Sequence, residues 1–231
     1  MKKIGILQSN YIPWKGYFDL INMADIFVLY DDANYTKNDW RNRNKIPTPH
    51  GVQWISIPVR QESLSQKIAE TKVANQLWRK KHWTTISQTY ARSQYFNMYR
   101  GIFEQLYLSE NDDLLSQINF KFIKAICDIL GMTTKIKWSM DYQITSKDKT
   151  EKLIQIITAE KADIYVSGPA AKDYIDNPLF HNAGIALEWM DYGGYKPYRQ
   201  LYGSFEHGVS IIDLIFNEGP NATQYMKSFT P

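Results

Sequence analysis

An apolar run, a helix-length stretch and a second apolar run follow one another within the first thirty residues, and this order constrains the fold more than any other feature of the chain. Ile4, Ile6 and Leu7 suit a buried strand, residues 18–25 read as a helix returning behind it, and residues 26–30 (IFVLY) form the next strand. Strands joined through a helix run parallel, because the crossover carries the chain back to the edge it started from. The same order recurs later. Residues 148–160 carry a helical face of Leu153, Ile156 and Ile157, and residues 164–166 form a strand that ends in Ser167, Gly168 and Pro169. The expected fold is α/β: a mostly parallel, Rossmann-like sheet with flanking helices.

Between these units the periodicity changes. Residues 52–59 alternate like a strand behind a turn at Thr48, Pro49, His50 and Gly51. Residues 75–105 place Leu77, Trp78, Trp83, Ile86, Tyr90, Phe96, Tyr99 and Phe103 at helical steps, and residues 112–130 continue with Leu115, Ile118, Phe122, Ile126 and Ile129 before Gly131 stops the helix. Short strands at 134–138 and 187–189, a Gly, Tyr and Pro-rich loop from 191 to 203 and a helix at 211–216 complete the pattern. The expected organisation is one α/β domain over residues 1–231, with a helical insertion at about 60–132.

Chemistry concentrates at two strand ends, the edge where open α/β sheets bind ligands. Beyond the first strand, Gln8, Ser9 and Asn10 offer donors and acceptors in a loop with Tyr11, Trp14 and Tyr17, shaped by Pro13 and Gly16. Beyond the second, Asp31, Asp32, Tyr35, Lys37, Trp40, Arg41, Asn42, Arg43 and Asn44 crowd acids, cations and amides into fourteen residues. Neighbouring side chains of an extended chain alternate sides, so at most one of the two carboxylates faces a site. Arginine binds phosphate through paired charge-assisted bonds, so Arg41 and Arg43 with Lys37 fit a nucleotide-sugar diphosphate or a phosphorylated donor.

The segments QSNYIPWKGYFDLIN and YDDANYTKNDWRNRN, together with WRKKHWTTISQTYARSQYF, SGPAAKDYI and LYGSFEHGVSIIDLIFNEGP, closely resemble the WbqC-like family across almost the whole chain. Members of that family occur among bacterial genes for surface polysaccharide and O-antigen. The resemblance therefore implies a role in polysaccharide building, with glycyl or aminoacyl transfer as one form of it. The turn WKGY is also similar to the HxGH turn of nucleotidyltransferases and pantothenate synthetase-like ligases, with Trp14, Gly16 and Tyr17 at the matching positions. Both histidines of that pattern are absent, so its phosphate-neutralising role is not carried over.

His82, flanked by Arg79, Lys80 and Lys81, is the expected acid/base histidine because an unperturbed imidazole titrates near neutrality. His207 is a second candidate, while His50 and His181 lack an identifiable partner and the spacing forms no HExxH zinc motif. Lys147, Lys149 and Thr150, and likewise Ser167 with Lys172, precede expected helices, whose amide ends attract anions. The absence of GxxxxGK[ST], GxGxxG and GxSxG argues against a P-loop NTPase, a dinucleotide-binding Rossmann enzyme and a serine hydrolase.

Composition bounds the partners. With 27 basic and 24 acidic residues the balance gives no electrostatic case for nucleic acid. No run approaches the ~18 apolar residues of a membrane span, and the chain opens directly on a strand without a signal-like core. The single cysteine, Cys127, lies in the apolar run FKFIKAICDIL, which excludes an internal disulfide and fits a buried thiol in a reducing cytoplasm. The expected location is cytoplasmic, no metal site is expected, and no cofactor is named by any motif. Exposed Tyr and Trp near the C-terminus suit a homo-oligomer interface.

The leading expectation is a cytoplasmic transferase or ligase that places an aminoacyl or small acyl group on the amine of a nucleotide-linked amino sugar. Asp32 or His82 removes the amine proton, Lys37, Arg41 and Arg43 hold phosphates, and Asn10, Asn42 and Asn44 orient sugar or acyl oxygens. Two alternatives stay open: a non-catalytic nucleotide-sugar binding or scaffold protein, and a metal-dependent nucleotidyl or glycosyl transferase using Asp31 and Asp32.

Overall fold

Alternation along the first strand decides the layers. The computed structural model describes residues 1–109, 111–173 and 175–229. In it, β1 (Lys3–Leu7) pairs in parallel with β2 (Ile26–Leu29), with Ile4 opposite Ile26 and Ile6 opposite Val28. These four residues face a cluster that includes Leu153, Ile156 and Phe180. Phe27 and Leu29 face the other way, into a larger cluster with Phe18, Leu20 and Phe122. Gly5 lies opposite Phe27, and a Cβ there would come within 2.9 Å of the Phe27 ring, so the missing side chain is what lets that aromatic pack flat on the sheet.

The first crossover helix, α1 (Lys15–Asn22), begins three residues earlier than its apolar pattern indicates, because Trp14 is already extended at its N-cap and its carbonyl accepts from Tyr17 N. The helix ends as Asp25 N bonds Lys3 O and the chain enters β2.

After β2 the chain leaves the sheet. The hairpin β3 (Arg43–Thr48) and β4 (Gly51–Ser56) comes first, then a short pair, β5 (Val59–Arg60) and β6 (Lys72–Val73). The expected strand at 52–59 is therefore β4, paired with β3 outside the main sheet, and the extra-sheet segment opens with hairpins before its helices. Residues 75–105, expected as one helical segment, form α2 (Leu77–Tyr90) and α3 (Phe96–Leu108), because Ser93 N turns back to Tyr90 O and Tyr95 N bonds Phe216 O. The third helix, α4 (Leu115–Ile129), ends before Gly131, whose φ of +71° suits a glycine stop.

The chain then re-enters the sheet through β7 (Lys135–Trp138), α5 (Lys149–Ala159), β8 (Ile164–Ser167), α6 (Asn177–Asn182) and β9 (Ala186–Trp189), and closes with α7 (Ile211–Glu218). Asp148 caps α5 by accepting from Thr150 N and Glu151 N. The strand order is β7-β2-β1-β8-β9, every neighbouring pair parallel. The chain thus builds outward from β1 on one side and then crosses to the other. That reversal places the carboxyl ends of β1 and β8, at Leu7 and Ser167, at the switch point where doubly wound sheets open a crevice. Among the described residues no helix is long and apolar enough to cross a membrane.

Candidate functional site

The loop leaving β1 is held in a conformation its sequence would not choose. Ile12 has a φ of +37°, a region that β-branched residues rarely enter and that costs on the order of 1–3 kcal/mol. Six hydrogen bonds fix it. Ser9 N donates to Asp31 Oδ1 at 2.8 Å and Tyr11 N to Trp40 O at 3.1 Å. Asn44 Nδ2 reaches both Tyr11 O and Ile12 O, Ser210 Oγ donates to Ile12 O at 2.7 Å, and Ile211 N at the start of α7 bonds Pro13 O. Strain held by so many partners marks a preorganised loop.

Against this loop lies a cavity of about 240 Å³ lined by Asn10, Pro13, Trp14, Trp40, Asn44 and Gly208. Its wall joins two indole rings to the Asn10 amide, a pairing that offers flat apolar faces and directed hydrogen bonds together, while the Asn44 amide is engaged by the loop itself. Arg41 donates to Asn10 Oδ1 and pairs with Asp39 at 3.5 Å, which fixes the orientation of the Asn10 amide. The Trp14 ring folds over Gly16, where a Cβ would meet it at 2.3 Å, and packs edge-on against Tyr192 with centroids 5.2 Å apart.

The titratable groups around the loop serve internal bonds. Asp31 is fully buried and accepts from Ser116 Oγ as well as Ser9 N, and burial pushes its carboxyl pKa up. Asp32, half-buried, accepts from Ser139 Oγ at 2.8 Å. His82 is buried among Tyr11, Trp78 and Tyr107, and burial lowers its pKa to about 4, so it is neutral near pH 7. Its Nε2 lies 3.2 Å from Ser56 O, which can only accept, so Nε2 carries the proton. Nδ1 then accepts from Tyr11 OH at 2.9 Å, and Tyr11 in turn accepts from Tyr107 OH at 2.6 Å.

Of the residues singled out in the sequence, Asn10, Trp14, Trp40 and Asn44 come together in the cavity wall. Gln8 adjoins them, its carbonyl accepting from Tyr17 OH at 3.1 Å. Tyr11, Tyr17 and Tyr35 are core residues. Asn42 bonds Ile57 O, Arg43 stacks 4.2 Å from the Trp54 ring, and Lys37 is exposed. Ser167 is buried and donates to Tyr165 OH, while Lys172 is exposed and 5.5 Å above Trp189. The structure thus separates the Ser167 and Lys172 turn and His82 from the cavity wall. Among the described residues, no three His, Cys, Asp or Glu side chains gather as metal ligands would.

Sequence reading missed Lys15. It begins α1, is only 3% exposed, and its ammonium meets no carboxylate at ion-pair distance among the described residues. A helix N-terminus disfavours a cation, and burial lowers its pKa to about 8. Instead of an acid, Lys15 Nζ has the Tyr195 and Tyr198 rings 4.8 and 5.3 Å away and Lys196 O at 3.3 Å. This aromatic cage fastens the irregular 191–207 loop beside the cavity. No local pattern announces it, since the cage residues lie some 180 positions downstream.

A model of the WbqC-like protein family matches residues 8–225. The chain is also similar to a Mycobacterium tuberculosis (strain ATCC 25618 / H37Rv) protein described as "Uncharacterized protein Rv1507c", with 44% identity over 228 residues, 98% of each chain. No solved structure matches.

Proposed function

The chain belongs to the WbqC-like protein family, and from its cavity we propose that it is a transferase or ligase of surface polysaccharide or O-antigen building. In this reading the cavity holds the sugar of a nucleotide-linked amino sugar, and an acyl or aminoacyl group is transferred to the sugar amine. The supporting observation is the strained, six-fold fastened loop at residues 8–14 beside a cavity walled by Trp14, Trp40, Asn10 and Asn44. Indole faces stack on the C–H side of a sugar ring, the Asn10 amide bonds its hydroxyls, and Asn44 positions the loop. Asp32 is the acid/base group of this reading, and Lys37 and Arg43 supply charge for phosphates. His82, neutral and enclosed, acts instead as a positioning residue that holds Tyr11 and hence the loop.

One observation favours a second reading, a non-catalytic nucleotide-sugar binding protein: the carboxylate of Asp31 and the imidazole of His82, both bonded directly to the loop, are engaged in internal bonds. Incubation with nucleotide-linked amino sugars, glycine and acyl donors, with and without ATP, followed by mass spectrometry, separates the two. The transferase reading expects an acylated sugar that Asp32→Asn abolishes. Binding with no product under any donor would favour the second.

A further inference from the structure

The outer face of the β3–β4 hairpin is unlike the rest of the surface. Cross-strand pairs place Arg43 opposite Ser56 and Lys45 opposite Trp54, so by the two-residue period of a strand these four share one face. The alternate residues Asn44, Ile46 and Ile55 turn inward and are buried. The outer face carries Trp54, 44% exposed, and beside it lies Trp40, 39% exposed, with ring centroids 5.1 Å apart. Arg43 stacks 4.2 Å from the Trp54 ring, and Lys45 Nζ is 5.3 Å from the same ring.

Charge on this patch is one-sided. Residues 37–45 contain Lys37, Arg41, Arg43 and Lys45 against the single acid Asp39, which already bonds Trp40 N and Arg41. Neither Arg43 nor Lys45 forms an ion pair among the described residues. Arg43 donates to Asn38 O and Oδ1, which fixes its guanidinium without neutralising it, and exposed indoles beside cations that lack a carboxylate partner are the makings of a stacking platform for a flat anionic ligand. Trp40 belongs both to this patch and to the cavity wall, so platform and cavity are continuous.

We propose that the Trp54, Arg43 and Lys45 face of the β3–β4 hairpin is a nucleoside diphosphate subsite: Trp54 stacks the base, Arg43 and Lys45 face the diphosphate, and the attached sugar passes Trp40 into the cavity. This rests on the sugar reading of the cavity and extends it. A stretch of two rings suits one base rather than a nucleic-acid strand, and a formal charge of +3 gives the chain no polyanion-binding field.

The test is calorimetric titration of UDP, dTDP and GDP, a nucleotide-linked amino sugar, the free amino sugar and a short single-stranded oligonucleotide into wild type, Trp54→Ala, Lys45→Ala and Asn10→Ala. The expected result is that a nucleoside diphosphate binds wild type and Trp54→Ala weakens it by about tenfold or more. Lys45→Ala should lower both the affinity and its salt dependence, and neither change should alter free-sugar binding or the melting temperature. Unchanged diphosphate affinity in both variants, no diphosphate binding where the sugar binds, or tighter binding of a single-stranded oligonucleotide than of the mononucleotide overturns the subsite. Failure of the cavity reading looks different: Asn10→Ala then leaves nucleotide-sugar affinity unchanged while Trp54→Ala still lowers it.

Discussion

His82 holds its neutral form because burial opposes its charge, and that makes it a source of acid sensitivity. Its folded pKa of about 4 lies below the ordinary 6.5, so the unfolded chain takes up the proton first as pH falls. Its contribution is complete above pH 6.5 and is lost as pH falls from 6.5 through 4, a change on the order of 3 kcal/mol. Asp31, pushed up by burial, acts in the opposite sense, so the comparison must be made against His82→Gln. Denaturant unfolding between pH 4 and 7 should give a shallower slope for that variant, and equal slopes would remove the histidine from the acid response. Asn44 is the other residue on which the loop depends, since one amide serves two carbonyls. Asn44→Ala should cost about 2 kcal/mol in equilibrium unfolding and weaken ligand binding at the cavity. A loss below a few tenths would mean that Ser210 alone holds Ile12 O.

Among the elements, α1 is the first crossover, and its N-cap Trp14 lines the cavity. Gly16→Ala would drive a methyl into the Trp14 ring, which must then leave its contacts with Tyr192 and Tyr195. The expected result is a marked loss of sugar affinity with a smaller change in melting temperature; a large fall in stability with affinity intact would place Trp14 outside the site. The helix is fastened from behind by Asp19, which accepts from Tyr195 OH, Lys227 N and Ser228 N, so the far end of the chain supports the start of it. The central strands β1 and β2 were legible because their residues are buried on both faces and read as apolar runs, IGIL and IFVL. The partner strand β3 was hidden by its Arg, Asn and Pro content, which looks like a loop until β4 pairs with it. His82 read as an acid/base candidate from its type and its basic neighbours, yet it lies with Trp78, Trp83, Ile86 and Tyr90 on the buried side of α2. Asn10, Trp14, Trp40 and Asn44, singled out by residue type beyond a strand end, do meet in one cavity wall, whereas Lys15 and Ser210 depend on contacts nearly two hundred positions away.

At the scale of the molecule, a parallel sheet whose strand order reverses at β1 has the cavity beside the loop that leaves β1, and the stretch between β2 and β7 contributes Trp40 and Asn44 to its wall. The sheet provides position; the hairpin β3–β4 contributes Asn44 and, through Trp54, the aromatic rim. The central claim is that this junction binds a nucleotide-linked amino sugar. It is tested most directly by calorimetric titration of such sugars into wild type and Trp40→Ala, since Trp40 belongs to both cavity and rim. The account predicts saturable binding to wild type that falls by about tenfold or more in Trp40→Ala with the melting temperature nearly unchanged. Equal binding to both proteins, or no binding of any nucleotide-linked amino sugar to wild type, would contradict it.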